Sequence, residues 1–370
     1  MQSISSYAVS TISDHALPQA IARDIDVLAE EAVEPSIFVE AWMLAPALEH
    51  LIAEDVVIAL VRDGEGKLAG LFPFESRNRF SGLPMRAMSL VAHPHALLFT
   101  PLISKHRTDD VIGAFLDWVA AGSAPAGIVD LRNITVDGPF AQSLERALRG
   151  RRGWSRHVET RERALFKPRD NPEAGVSGKH RKELRRLERR LADSGKLTYR
   201  TFEAGEPVQP WIDQFLALEV RGWKGQEGGR AFDRDEGGRI FFDRIIHAGA
   251  ARGRIQMFSM LLDDVPIAMK INFLLGDGGY AFKIAYDEEY AKYSPGVLLE
   301  VFFMTHIVEQ CPAVAWVDSG ARSDHPMINR LWTDRRSVGD HLLAHGNVLA
   351  RLIVRHWWIN RALRKYFQRG

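Results

Sequence analysis

Three strand-like runs in the second half of the chain constrain its fold more than any other feature. Ile255 to Leu262, Pro266 to Leu275 and Tyr280 to Tyr286 are separated only by Asp263-Asp264 and Asp277-Gly278-Gly279. Connections that short are hairpin turns, so the runs are expected to form a three-stranded antiparallel meander. A helix from about Val297 to Glu309 and a strand from Ala313 to Val317 follow, and such a crossover brings the second strand back parallel to the first. Ahead of the meander lie two helical stretches, one carrying Trp211, Phe215 and Leu218 and one from Arg239 to Arg252. The expected sheet is mixed, mostly antiparallel and flanked by helices, an α/β (α+β) unit.

The first half repeats this order less clearly. Val56 to Val61 reads as a buried strand, Asp63-Gly64-Glu65-Gly66 as the turn into Leu68 to Pro73, and a third strand lies around Arg86 to Val91. A helix from Asp110 to Ala121 and a strand from Gly127 to Leu131 complete it. A chain of 370 residues is long enough for two such units. The division expected is a lead over 1–29, a first unit over 30–165, a second over 166–335 and a basic amphipathic helix over 336–370. Hydrophobic residues at 46% and charged residues at 26% are the balance of a globular protein. The formal net charge of +1 gives no global preference for nucleic acid.

A single cysteine, Cys311, excludes an internal disulfide and a cysteine-rich metal site, which suits a reducing compartment. With no basic and apolar leader over the first thirty residues, and no apolar run of membrane-spanning length, the chain is expected to be cytoplasmic. His93 and His95 flank Pro94 without a third ligand, so no metal is expected.

Chemistry points first to the stretch from strand to helix through Tyr293-Ser294-Pro295-Gly296. Pro295 has no N–H to lose at a helix start and Gly296 leaves room for a ligand against the backbone. The amides of Val297, Leu298 and Leu299 are expected to stand open at the positive end of the helix dipole. A pyrophosphate fits such a turn. No Gly-Lys-Ser or Gly-Lys-Thr follows, so it is not a Walker loop.

Gly178 to Arg190 holds seven Lys or Arg against two Glu, with Leu184, Leu187 and Leu191 at helical spacing. It reads as an amphipathic helix with a basic outer face. His341 to Gly370 has six Lys or Arg and no acidic residue, with Leu352, Ile353, Trp357 and Leu363 on an apolar face. Such a helix either docks on the protein body or lies on an anionic membrane.

Three ordered segments carry a family resemblance. The run Lys179-His180-Arg181-Lys182-Glu183-Leu184-Arg185-Arg186-Leu187-Glu188-Arg189-Arg190-Leu191 resembles the basic helix that opens the acyltransferase domain of the FemAB-like and BioF2-like (CelD-type) group in the GNAT superfamily. Leu218-Glu219-Val220-Arg221-Gly222-Trp223-Lys224-Gly225 resembles that group's Glu-x-x-Gly-Trp-Lys-Gly segment. Phe282-Lys283-Ile284-Ala285-Tyr286-Asp287 with Tyr293-Ser294-Pro295-Gly296 resembles its cofactor region. Ser36 to Trp42 and Gly70 to Phe74 are similar to its first half, and the likeness fades after Asp318.

The resemblance implies two GNAT-like units with one acyl-CoA, such as acetyl-CoA, bound as co-substrate by the second. Its pantetheine arm would lie along Lys283, Ile284, Ala285 and Tyr286, and its pyrophosphate at Ser294, Pro295, Gly296, Val297 and Leu298. An amine acceptor, on an amino sugar, a peptide or an envelope or exopolysaccharide precursor, would attack the thioester directly. Asp287, Asp318 and Glu219 are the candidate bases, and Tyr290 and Tyr293 candidate proton donors to the departing thiolate. Trp223, Lys224 and Arg181 would contact substrate. A Fem-type transferase using aminoacyl-tRNA on the basic helix is the second reading, and a catalytically inactive GNAT-like binding protein of a polysaccharide-synthesis system the third. The first unit would serve as scaffold or acceptor platform.

Overall fold

The computed structural model describes residues 7–96, 98–149, 151, 154–222, 231–232, 235–344 and 348–356. In chain order the elements are β1 (Ala8–Ile12), α1 (Gln19–Glu30), α2 (Ala41–His50), β2 (Val56–Arg62), β3 (Leu68–Arg77), β4 (Ala87–Leu90), β5 (Leu102–Ile103), α3 (Thr108–Ala120), β6 (Ile128–Thr135), α4 (Pro139–Leu148) and β7 (Trp154–Phe166). They continue with α5 (Gly178–Ala192), β8 (Leu197–Thr201), α6 (Gln209–Arg221), α7 (Glu236–Ala251), β9 (Ile255–Leu262), β10 (Val265–Leu275), β11 (Gly278–Tyr286), α8 (Pro295–Gln310), β12 (Trp316–Asp318), α9 (Ile328–Leu331), β13 (Asp334–Ala344) and α10 (Val348–Arg355). Two compact units result: Met1–Arg161 with Ser337–Gly370, and Glu162–Arg336.

In the first unit the strands run β1-β2-β3-β4-β6-β13, with β5 added on β3. Among the described residues the β4–β6 pair is parallel there, and β1–β2, β2–β3, β3–β4 and β13–β6 are antiparallel. The expected hairpin, third strand, helix and returning strand are all present. The segment read as a lead is structured, because β1 extends the hairpin edge and Ile25 and Leu28 of α1 are fully buried. Short length and a polar pattern in Ala8–Ile12, half of it exposed, hide that edge strand from a reading based on apolar runs. One face of this sheet packs α3 through Val111, Ile112, Phe115 and Leu116, where Phe72 and Phe115 stack at 3.9 Å.

The second unit runs β7-β12-β11-β10-β9-β8, in which β11–β12 is the parallel pair among the described residues. The meander lies where the turns put it, and both residues of the first turn, Asp263 and Asp264, adopt positive φ. In β11 the register skips one residue: Ile271 faces Lys283 whereas Asn272 faces Ala281, so Phe282 is bulged out. After the bulge, alternation resumes on shifted faces, which turns Ile284 and Tyr286 one way and Lys283 the other. α5 and α8 cover one face with Leu184, Leu191, Leu298, Leu299, Phe303 and Ile307. Burial of each leucine of α5 contributes roughly 1.5–3 kcal/mol, so its apolar stripe, with Ser177 capping its first turn by accepting from the His180 N–H at 3.3 Å, holds that charge-rich helix. Phe215, Phe232, Phe242, Phe273 and Phe282 form an aromatic group that includes α6, α7 and the bulged residue.

β11 and β12 meet at close quarters. Gly278 pairs with Trp316, and a Cβ at Gly278 would fall inside the Trp316 indole, which also packs edge-on against Tyr280 at 5.4 Å. Gly278→Ala is therefore expected to destabilise the second unit by about 1–3 kcal/mol through overpacking, read as a lower urea midpoint with an unchanged slope.

Candidate functional site

The parallel contact between β11 and β12 covers only Gly278, Gly279 and Tyr280, opposite Trp316, Val317 and Asp318. β12 then stops while β11 runs on to Tyr286. The cause is local. Asp318 Oδ1 accepts the Gly320 N–H at 2.9 Å, and Gly320 takes φ +59, a left-handed turn that glycine adopts without strain. The Ser319 N–H donates instead to the Ala164 carbonyl of β7 at 3.1 Å, drawing the chain away from β11. β12 thus pairs with the edge of β11 no further than Tyr280, and that edge runs on from Ala281 to Tyr286.

That edge leads into a 3-10 turn, Glu288–Tyr293, and then into α8. Asp287 starts the turn, its Oδ1 accepting the Glu289 N–H at 3.1 Å and its Oδ2 lying 3.7 Å from an Arg221 guanidinium nitrogen. Ser294 takes φ 55 at the cap of α8, and its carbonyl accepts from both Val297 N–H at 2.9 Å and Leu298 N–H at 3.1 Å. This corrects the expected set of open amides. Val297 and Leu298 are satisfied, and Leu299 lies within the helical ladder. Pro295 has no N–H, which leaves Gly296 as the first-turn donor without a partner among the described residues. No acidic side chain lies in the first turn of α8, so its positive end is not neutralised from within.

Gly296 has a second role. The position of a Cβ there would touch Tyr286 Cδ1 at 3.4 Å and Ile284 Cδ1 at 3.6 Å, so the missing side chain faces the strand and lets α8 sit close over β11. Deeper in the helix, Lys270 of β10 pairs with Glu300 at 2.9 Å with both side chains buried, and its ammonium lies 4.8 Å from the Phe303 ring centroid. α8 is thereby fixed against the sheet.

The remaining sequence-derived residues separate into three groups. Tyr290 and Tyr293 are half-buried beside the start of α8, and neither hydroxyl has a hydrogen-bond partner among the described residues; Lys292 lies 5.0 Å from the Tyr293 centroid. Lys283, Ile284, Ala285 and Tyr286 form the part of β11 beyond its contact with β12, and Lys283 turns to the other face, 4.9 Å from the Phe232 centroid. Gly222 brings the end of α6 to the same place, with the Tyr286 carbonyl 3.3 Å from where a Cβ would stand. Trp223 and Lys224 lie outside the described residues.

Two of the expected bases are structural. Asp318 is fully buried, with Oδ2 accepting from Arg163 at 2.6 Å and from Arg336 at 2.9 Å, in addition to the Gly320 N–H on Oδ1. Burial alone would raise its pKa, but the two guanidiniums outweigh that and hold it below the ordinary carboxylate value. A carboxylate with both oxygens engaged and a depressed pKa is a poor proton acceptor, so its expected role as a base is corrected to that of an anchor. Glu219 is likewise buried, and its Oε2 accepts the Phe232 N–H at 2.8 Å, tying α6 to the segment ahead of α7. Of the three carboxylates, Asp287 follows directly on β11 and is the least buried.

Sequence reasoning missed Arg163 and Arg336, which lie far apart in the chain and whose common partner appears only on folding. It also missed a cavity of about 240 Å3 between α5 and α8, lined by Arg181, Arg185, Glu188, Tyr199, Leu298 and Phe302. Arg181 donates to the Glu173 carbonyl at 3.4 Å there, and the Tyr199 hydroxyl donates to Glu188 at 2.6 Å. Burial first and then this carboxylate raise the tyrosine's pKa. Cys311 accepts from Gln256 Nε2 at 3.3 Å, and burial raises its thiol pKa, consistent with an inert side chain. Among the described residues no group of three His, Cys, Asp or Glu side chains could hold a metal, and no helix is long and apolar enough to cross a membrane.

The equivalent place in the first unit is built differently. β4 and β6 pair in parallel over Ala87 to Ser89, but α3 begins with Asp109 and Asp110 in its first turn. Asp110 accepts from Arg107 at 2.6 Å, and Arg146 donates to Asp109 and lowers its pKa. The positive end of α3 already holds its own anions.

Comparison with known proteins agrees with this architecture. Residues 178–325, within the second unit, match the model of an acetyltransferase (GNAT) domain. Among solved structures the chain is similar to FemX, with a TM-score of 0.55 at 11% identity over 93% of this chain and 100% of that one. It is also similar to the C-terminal domain of a putative lysylphosphatidylglycerol synthetase from Agrobacterium fabrum, with a TM-score of 0.55 at 14% identity over 91% and 96% of the two chains. L-PGS from Bacillus licheniformis gives a TM-score of 0.54 at 12% identity over 96% and 98%. At these identities the likeness is one of fold. No curated protein matches the sequence.

Asp318→Asn should destabilise the second unit by about 3–5 kcal/mol, because it leaves buried guanidinium charge uncompensated. A depressed carboxylate pKa contributes stability that is complete above the unfolded value of about 3.9 and is lost as pH falls through the folded value. Urea titrations of the wild type should accordingly show stability falling on acidification below about pH 4, and the variant should lack that share of the fall.

Proposed function

We propose that the protein is an N-acyltransferase that takes an acyl group, most simply acetyl, from acyl-CoA and delivers it to an amine. The observation that carries this reading is the departure of β12 from β11 after Tyr280, beside the start of α8, where the Gly296 amide has no partner among the described residues. A pantetheine arm has amide groups along its length and can lie along a strand in such a splay, while a pyrophosphate takes the helix start. The GNAT match over 178–325 contains both parts. The carboxylates in the first turn of α3 support one donor site per chain.

In this mechanism the donor thioester lies in the splay beyond Tyr280. The neutral amine attacks its carbonyl, the new C–N bond forms, and the C–S bond breaks to release CoA thiolate. No covalent enzyme intermediate is needed. Tyr290 or Tyr293 donates a proton to the thiolate, and Asp287, directly or through water, accepts the proton from the attacking amine. The strand β11 beyond Tyr280 orients the donor before attack. The acceptor class is an amino sugar, a peptide or an envelope-polymer precursor, with Trp223, Lys224 and Arg181 as contacts.

A Fem-type reaction with aminoacyl-tRNA is the second reading, supported by the cationic outer face of α5 and the likeness in fold to FemX. Binding separates the two. Acetyl-CoA or a longer acyl-CoA is expected to raise the melting temperature, and salt-sensitive tRNA binding without any CoA effect would overturn the first reading. Val297→Glu places a carboxylate at the third position of α8, where helices tolerate it well. The variant should stay folded and lose at least about tenfold in CoA affinity through repulsion of the pyrophosphate. In a thiol-release assay with a panel of amines, Tyr290→Phe or Tyr293→Phe should lower kcat by about 100-fold at the one that serves as acid.

A further inference from the structure

α10 has apolar residues on two faces, and the first unit uses only one. Ala350, Ile353 and Val354 are buried against Phe80, Ala87, Ile128 and Leu342. Val348, Leu349 and Leu352 remain 66%, 58% and 47% exposed. At about 100° per residue these three form a strip beside the docked face, and Arg351 and Arg355 flank it on the other side.

The strip does not stand alone. The loop between β3 and β4 is closed by paired backbone bonds between Phe80 and Leu83, at 3.0 and 2.9 Å, and holds Leu83 36% exposed at its tip. Leu83, Pro84 and Met85 join Leu349, Leu352 and Ile353 around a cavity of about 300 Å3. Four of the seven large apolar side chains most exposed among the described residues therefore belong to one patch. Scattered apolar side chains are ordinary on a protein surface, whereas a contiguous group marks an interaction face.

Charge identifies the occupant. No Asp or Glu occurs between Ser76 and Arg107, the segment holding the loop, and none occurs from His341 to Gly370, which holds α10. Arg79 and Arg86 are exposed beside the loop, and Arg156 donates to the Arg355 carbonyl at 2.8 Å. Beyond α10 the sequence continues with Trp357, Trp358, Arg361, Arg364, Lys365 and Arg369. Apolar side chains ringed by cations, with indoles next in sequence, match an anionic lipid surface, where apolar groups enter the headgroup boundary and cations meet phosphate.

We propose that this face of the first unit, made by α10 and the loop around Leu83, seats the protein on an anionic membrane surface. A protein so placed works at the interface instead of in bulk solution. The proposal does not depend on which donor the second unit uses.

Co-sedimentation of the full chain with vesicles tests it. Binding is expected to vesicles of phosphatidylglycerol mixed with phosphatidylcholine, to be at least about tenfold weaker to phosphatidylcholine alone, and to weaken with added salt. Leu349→Glu with Leu352→Glu should reduce binding at least about tenfold with an unchanged melting temperature, since both positions are exposed. Leu83→Glu, in the other segment, should reduce it as well. Failure of the wild-type chain to bind anionic vesicles, or undiminished binding by both variants, overturns the proposal. So does a dimer in solution that ignores vesicles and dissociates in the double variant, because the patch is then covered by a second copy.

Discussion

The turn at Asp318 governs the geometry of the second unit. One oxygen of this buried carboxylate takes the Gly320 amide and bends the chain, and the other holds Arg163 of β7 and Arg336 of β13. Were β12 to continue straight, it would cover the edge of β11 and complete an uninterrupted sheet. Because it stops, its contact with β11 ends at Tyr280. Beyond that point β11 leads to the start of α8, where the Gly296 amide has no partner among the described residues. The anchor and the opening are parts of one arrangement, so the buried ion pair serves the shape of the site and not its chemistry.

Close packing completes that arrangement. Gly278 lets the Trp316 indole lie on β11 at the first pair of the parallel contact, and Gly296 lets α8 settle onto Ile284 and Tyr286 beyond its far end. The bulge at Phe282 sits between them and decides which side chains face α8. Small residues thus stand on either side of the point where β12 leaves β11. The first unit has the same order of elements and the same parallel pair, yet the carboxylates of Asp109 and Asp110 fill the corresponding helix start. Two units of one design therefore differ in whether an anion from solution has a place to go.

Much of this is legible in the sequence because local rules determine it. Asp263-Asp264 and Asp277-Gly278-Gly279 are short enough to force hairpins, and Leu184, Leu187 and Leu191 mark α5 by period alone. Ser294-Pro295-Gly296 marks the start of α8 through the chemistry of helix ends. What sequence reasoning misjudged depends on long-range partners. Asp318 looks like any strand-end carboxylate until Arg163 and Arg336 arrive from positions distant in the chain, and Glu219 looks available until the Phe232 amide binds it. The amides of Val297 and Leu298 depend on a left-handed Ser294, whose carbonyl turns inward to accept both. The edge strand β1 lacks the apolar alternation by which strands are recognised.

Amide hydrogen exchange with and without acetyl-CoA tests the central claim most directly, since it reads the backbone groups on which the donor is proposed to lie. The account predicts slower exchange in the peptides covering Ala281 to Tyr286 and the start of α8 at Gly296, with the first turn of α3 unchanged. Binding of acetyl-CoA with protection elsewhere and none along β11, or no protection at all at saturating acetyl-CoA, would contradict it.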